Sequence, residues 1–243
     1  MYSHFADILN QAFDDDMGFK LAFYGGDYEA MDDHYITCAV HTAAGATRVA
    51  LIDDDYDWIC KFDYDTDALG AVCAREYERY QAAKKFGIED MFAEVVYLGT
   101  FARKYTCADV SYYDYEENEE YDMIDREVEL ELYAYKKASF NLSIFGAYAR
   151  LSDEDKDHTD RRNSPLCGRN IDVGAAFLTK YGYSRYIKLD RFCRDFHIND
   201  LHGGNIGLIG DNIVIIDYAG YYDEEYSEDS NYDEDECTSR YYS

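Results

Sequence analysis

One short segment constrains the fold of this chain more than any other. Residues 197–220 read HINDLHGGNIGLIGDNIVIIDYAG, in which two apolar runs flank a Gly-Asp-Asn turn. This pattern predicts a β-hairpin. Asp200 precedes the first run, Asn205 stands at its start, and Asp217 ends the second run. A carboxylate and an amide oxygen are ligands that suit Mg²⁺, and a second carboxylate can accept the proton of an attacking hydroxyl.

The same residues carry a resemblance to a known family. The stretch D-L-H-G-G-N-I resembles the D-x-x-x-x-N catalytic loop of the protein-kinase-like superfamily, and I-I-D-Y-A-G takes the place of Asp-Phe-Gly. The D-L-H-x-x-N wording is closer to aminoglycoside-phosphotransferase-like, small-molecule kinases and to phage-encoded kinases than to eukaryotic protein kinases. The resemblance implies that Asp200 is the catalytic base, and that Asn205 and Asp217 hold Mg²⁺ beside bound ATP.

The N-terminal half offers the other parts that the resemblance requires. AAGATRVAL (43–51) is a small-residue loop between strand-like runs. Backbone N–H groups around Gly45, Ala46 and Thr47 are expected to reach phosphate oxygens there. WICKF places Lys61 in the next predicted strand, where the resemblance implies that it grips the α- and β-phosphates.

The most regular helical pattern covers 67–87, with Gly87 as its expected C-cap. The resemblance implies that one glutamate of this helix pairs with Lys61. The A-R-E-Y sequence resembles the R-E-A start seen in aminoglycoside-phosphotransferase-like sequences, and this resemblance favours Glu76. Glu78, on a different helix face, is the alternative.

The order of predicted elements is that of an α+β chain. The resemblance implies a bilobed protein-kinase-like fold, with a β-rich N-lobe over 1–137 and a truncated helical C-lobe over 138–220. The segment 221–243 holds nine acidic residues and is expected to form a flexible tail, because it cannot bury enough apolar surface. Further predicted elements are helices at 3–13, 139–151 and 171–194, and strands at 57–64, 92–105 and 126–137.

Several positions depart from the family pattern. Asn199 replaces the Arg of His-Arg-Asp, and Tyr218 replaces the Phe that follows the metal-binding Asp. Only 26 residues follow Asp217, so the usual activation segment and the later C-lobe helices are not expected. His202 is interpreted first as a turn cap, with metal binding or loop orientation as alternatives.

Composition sets limits on partners and compartment. The formal net charge of -28 opposes binding to nucleic acid. It agrees with a soluble or salt-adapted surface, or with a surface that imitates DNA. The seven scattered cysteines include no CxxC pair, which favours buried reduced thiols over disulfides or zinc. The sequence shows no signal peptide and no apolar run of membrane-spanning length, so a cytoplasmic protein without membrane contact is expected.

The resulting prediction is an ATP- and Mg²⁺-dependent kinase-like phosphotransferase, with a Ser/Thr/Tyr protein kinase favoured. The small, acidic, Tyr-rich composition suggests a viral or phage source, with host proteins or the chain's own tail as substrate. One alternative is an acidic interaction protein, a pseudokinase or DNA mimic that inhibits a basic host factor. A second alternative is a small-molecule kinase of the aminoglycoside or choline type. The oligomeric state stays open.

Overall fold

The computed structural model describes residues 1–15, 19–20, 35–36, 39–44, 48–63, 71–108, 123–140, 144–159 and 164–219. The helices are α1 (Tyr2–Asp15), α2 (Val72–Phe86), α3 (Asp153–Lys156), α4 (Pro165–Gly168), α5 (Ile171–Tyr181) and α6 (Tyr183–Asp195). The strands are β1 (Val40–Ala44), β2 (Arg48–Asp53), β3 (Trp58–Asp63), β4 (Val95–Ala108), β5 (Met123–Lys136), β6 (Ser139–Phe140), β7 (Ile206–Ile209) and β8 (Asn212–Ile215). The mixed composition of helices and antiparallel strands confirms the α+β prediction.

The larger sheet has five antiparallel strands in the order β1-β2-β3-β5-β4. Its first three strands are successive in the chain. After α2 the chain forms β4 at the edge and then β5 beside β3. Lys61 lies in this central strand, opposite Ala50 on one side and Tyr133 on the other.

The two faces of this sheet are covered by different helices. Phe5, Leu9 and Phe13 of α1 pack on one face, against residues that include Cys60 and Phe62. Period-two alternation therefore directs Lys61 to the opposite face, as its sequence neighbours predict. The predicted opening helix and the predicted strand at 57–64 are both confirmed, with small differences at their ends.

The opposite face shares its core with the C-terminal helices. Tyr80 of α2 and Tyr135 of β5 belong to one apolar cluster with Phe177 of α5, Phe192 of α6 and Tyr218 after β8. The segment that follows the β7–β8 hairpin is therefore packed beneath α2. This packing brings the two sequence regions with candidate functional residues together.

Helix α2 ends where the sequence predicts. Gly87 adopts the left-handed conformation with φ 65°, and the N–H groups of Gly87 and Ile88 donate to the carbonyls of Lys84 and Ala83. These bonds satisfy carbonyls at the helix end. The helix begins at Val72, and the predicted portion at 67–70 lies outside the described residues.

Two predicted helices differ from the structure. The predicted helix at 171–194 is two helices, since Gly182 separates them with a φ of 76°. The predicted helix over 139–151 is wrong apart from a single 3₁₀ turn at Tyr148–Arg150. Its start pairs with β7 as strand β6, and the N–H groups of Gly146 and Tyr148 are held by the Asp172 carboxylate in a turn.

The predicted hairpin at the end of the described chain is confirmed. Strands β7 and β8 pair around a turn in which Gly210 has a φ of 60°, and β6 adds a third strand to this small sheet. Within the described ranges, five cysteines are buried, as the sequence predicts. In the same ranges, no helix has both the length and the apolar character needed to cross a membrane.

We expect Gly207→Ala to destabilise the small sheet. An added Cβ would lie 2.8 Å from the Cβ of Ala138 and 3.1 Å from the carbonyl oxygen of Ser139. Relieving this overlap is expected to lower the free energy of unfolding by about 1–3 kcal/mol, as measured by urea denaturation. Gly168→Ala is the control, because nothing lies within 4 Å of its added Cβ. Equal stability of the two variants would contradict the close approach of β6 and β7.

Candidate functional site

Asp200 and Asn205 lie in the loop between α6 and β7. The Asn205 Nδ2 group donates to the Asp200 carbonyl oxygen at 2.7 Å, and the Asn205 carbonyl accepts from the Ile216 N–H at 2.9 Å. His202 caps the turn between them, because its Nδ1 accepts from the Gly204 N–H. These bonds join the loop to the strand end that carries Asp217.

Asp200 contacts a basic residue that the sequence analysis did not single out. Its Oδ1 lies 2.9 Å from Nη1 of Arg169, at the end of α4. The Asp200 side chain is mostly buried, at 22% exposure, whereas Arg169 is largely exposed. The candidate catalytic base therefore carries a cationic neighbour at the protein surface.

Glu76 is completely buried on α2 and its two carboxylate oxygens have different partners. Oε1 accepts from the Tyr218 N–H at 2.8 Å, and Oε2 lies 2.5 Å from Nη1 of Arg48. Glu78 is exposed on the same helix. Of the two glutamates that the sequence left open, Glu76 is the one that faces the interior.

Arg48 joins the two candidate regions directly. Its Nη2 lies 2.6 Å from Oδ2 of Asp217, while its Nη1 contacts Glu76, and its side chain is only 13% exposed. Burial alone would lower the pKa of this guanidinium, but the charges of Glu76 and Asp217 outweigh burial and raise it further above its usual range. Arg48 therefore stays charged and holds both carboxylates.

Asp217 is less enclosed than Glu76, with 39% of its side chain exposed. Partial burial would raise its pKa, but the positive charges of Arg48 and Lys61 outweigh this effect and hold the pKa of the carboxyl below its usual range. Asp217 is consequently an anion that faces two cations and solvent. This is the charge state that a metal ligand requires.

The predicted ion pair between Lys61 and Glu76 does not form in the structure. Lys61 takes part in none of the ion pairs among the described residues, and its Nζ lies over the Tyr135 ring, 4.4 Å from the centroid. Arg48 takes the Glu76 carboxylate instead. It does so because its fork of N–H donors reaches two carboxylates at once, which a single ammonium group does less well.

Tyr218 fixes the position of Asp217 relative to α2. It is completely buried, and its carbonyl accepts from Nη1 of Arg79 at 2.7 Å. Its hydroxyl donates to the Ala93 carbonyl at 2.9 Å, while its N–H donates to Glu76. Burial raises the pKa of this hydroxyl well above its usual value. The neutral ring thus anchors the segment beside the Arg48 pair.

Some predicted residues cannot be placed in the site. Gly45, Ala46 and Thr47 lie outside the described residues, as does the acidic tail at 221–243. Within the described ranges, no group of three or more His, Cys, Asp or Glu side chains is arranged to hold a metal ion. The candidate ligands are one carboxylate and one amide oxygen. This small set suits Mg²⁺, which usually completes its coordination with waters and substrate phosphates and rarely relies on protein ligands alone.

Arg48 could have been found from a signal in the sequence. TRVALI is a strand-like run, and period-two alternation puts Arg48 on the same face as Ala50. Ala50 pairs with Lys61, so both basic residues lie on the face that α2 covers. Arg169 offered no comparable signal, since its contact with Asp200 depends on how α4 packs.

In comparisons with known proteins, no family model matches this chain, and no curated protein or solved structure matches it either. The functional assignment therefore depends on the geometry of the site and on the residues that resemble the kinase-like motifs.

We expect Glu76 and Glu78 to differ sharply in their contribution to stability. Glu76→Ala leaves the Arg48 guanidinium and the Tyr218 N–H without their buried partner, so it should lower the free energy of unfolding by about 3–5 kcal/mol. Glu78→Ala, on the same helix but exposed, should change it by less than about 0.5 kcal/mol. Urea denaturation measures both values. Similar losses in the two variants would show that Glu76 does not hold the site together.

Proposed function

We propose that this chain is an ATP- and Mg²⁺-dependent kinase-like phosphotransferase. The observation that carries the proposal is the convergence of residues that are far apart in sequence. The Tyr218 N–H and the Glu76 carboxylate are separated by 142 positions, and Arg48 and Asp217 by 169. The loop with Asp200 and Asn205 joins the same strand end through Ile216.

The order of elements supports a bilobed protein-kinase-like fold. The loop with Asp200 is preceded, in order, by two strands, a strand with an inward Lys61, a helix with an inward Glu76 and two further strands. The proposed lobe boundary near 137/138 falls between β5 and β6. On this proposal the reduced C-lobe consists mainly of α3–α6 and the β7–β8 hairpin.

Each residue has a distinct role on this proposal. The Asp200 carboxylate accepts the proton of the attacking hydroxyl, and Lys61 contributes positive charge next to the phosphates. Asp217 and the oxygen of the Asn205 amide would hold Mg²⁺, since the nitrogen of that amide is already bonded to the Asp200 carbonyl. When bound, Mg²⁺ neutralises phosphate charge during transfer.

A protein substrate is favoured, and the chain itself is one candidate. The tail at 221–243 interleaves Tyr and Ser with acidic residues, so it offers hydroxyl acceptors. On this proposal the chain is of viral or phage origin and modifies host proteins or itself.

The second candidate is an acidic interaction protein with an inactive kinase-like site. The candidate metal ligand and the candidate catalytic base each have an arginine partner, Asp217 with Arg48 and Asp200 with Arg169. Such pairing is a structural role that a pseudokinase retains without catalysis. The net charge of -28 would then attract a basic host protein.

We expect the purified protein to transfer label from γ-labelled ATP, in the presence of Mg²⁺, to itself or to a protein of a host lysate. Asp200→Asn should lower the rate by about 10²–10⁴-fold, because it removes the proton acceptor. Asp217→Asn should abolish transfer by weakening metal binding. Asp211→Asn is the control, because Asp211 is exposed in the hairpin turn.

Two results would overturn the enzymatic proposal. The first is that the parent protein labels nothing, itself included. The second is that Asp200→Asn and Asp217→Asn label as well as the Asp211→Asn control. In either case, persistent tight binding of a basic protein would support the interaction protein.

A further inference from the structure

Arg48 makes the ion pair with Glu76 that the sequence pattern predicted for Lys61. It begins strand β2 and reaches across the inner face of the sheet to the buried carboxylate of Glu76. One face of the sheet therefore presents two cations, of which only Arg48 is bonded to the glutamate of α2 among the described residues.

The two contacts of Arg48 use different nitrogen atoms. Nη1 binds the completely buried Glu76, and Nη2 binds Asp217, whose side chain is 39% exposed. Glu76 is the permanent partner, because an unpaired charge at a fully buried position is very costly. Asp217 is the exchangeable partner, because water can replace a lost contact at its exposed side.

The contact with Asp217 competes with a metal ion. A divalent cation on this carboxylate and the Arg48 guanidinium would share a single anionic group, and like charges there repel. A phosphate oxygen is an equally good acceptor for the Nη2 group. Arg48 can therefore exchange Asp217 for a phosphate oxygen while Nη1 remains on Glu76.

We propose that Arg48, rather than Lys61, is the phosphate-binding cation held by Glu76, and that Arg48 leaves Asp217 when a Mg²⁺–nucleoside triphosphate binds. This inference rests on the proposed function and names a phosphate-binding residue that the sequence motif misses. Lys61 then has a supporting role. Its ammonium packs on Tyr135 and adds positive charge near Asp217.

The test is equilibrium binding of ATP, measured by calorimetry with Mg²⁺ and again with EDTA. Arg48→Gln should weaken ATP binding at least about tenfold in EDTA, where the guanidinium is the main phosphate partner. With Mg²⁺ the loss should be smaller, because the variant also removes the competitor for Asp217. Lys61→Gln should weaken binding less than about threefold in either condition.

Thermal unfolding will show whether Arg48→Gln folds. If it does not, two variants that preserve the charge keep the test valid. Arg48→Lys retains the charge but loses the fork that contacts two acceptors, so it should still weaken ATP binding at least about threefold. Lys61→Arg should stay within about twofold of the parent. Arg103→Gln is the control for loss of an arginine, because Arg103 binds Asn10 and Asp14 on α1, on the other face of the sheet.

The outcomes separate this inference from the proposed function. If the parent protein binds no ATP, the proposed function fails. If the parent binds ATP, the Arg48 variants bind like the parent, and Lys61→Gln loses tenfold or more, the inference is overturned while the proposed function stands. A loss in Arg48→Gln that is the same with Mg²⁺ and with EDTA would refute the competition for Asp217.

Discussion

The structure depends on the complete burial of one carboxylate. Glu76 is tolerated in the core because each of its oxygens has a partner, the Arg48 guanidinium on one side and the Tyr218 N–H on the other. A carboxylate without such partners would carry a desolvation cost of several kcal/mol. The requirement to pair Glu76 therefore ties together three separate elements: α2, the start of β2 and the segment after β8. Any arrangement that moved one of them away would leave at least one of these buried polar groups without its partner.

The same pairing positions the candidate functional side chains. Tyr218 is buried under α2 and fully hydrogen-bonded, so the neighbouring Asp217 is held at the end of β8 with part of its surface open to solvent. Through Ile216, this strand end also binds the loop of Asn205 and Asp200. Rigid placement of a few polar groups is what phosphoryl transfer needs most from a protein, because the reaction depends on alignment and charge neutralisation.

Local signals in the sequence predicted much of this arrangement. They could not predict which of two side chains, brought together only by the tertiary fold, would pair with a given partner. Apolar runs and turn residues predicted the β7–β8 hairpin, and Gly87 predicted the end of α2. The partner of Glu76 was predicted wrongly, because two cations, Arg48 and Lys61, share one face. Which of them pairs with Glu76 depends on the register of β2 against β3 and on side-chain length. The helix expected over 139–151 failed for a similar reason, since the Asp172 carboxylate, which holds this segment in a turn, belongs to α5.

The two arginines at the site have different consequences for its chemistry. Arg169 is largely exposed and pairs with Asp200 through a contact that solvent can screen. Arg48 is enclosed, and its charge is fixed by two carboxylates. A ligand would displace the exposed Arg169 at little cost, whereas the enclosed Arg48 would have to exchange one anionic partner for another. On the proposed function, an isolated divalent cation would compete with Arg48 for Asp217, whereas a ligand that brings cation and phosphate together would supply a partner for each. Such selectivity would suit a kinase, because the metal then arrives with its nucleotide.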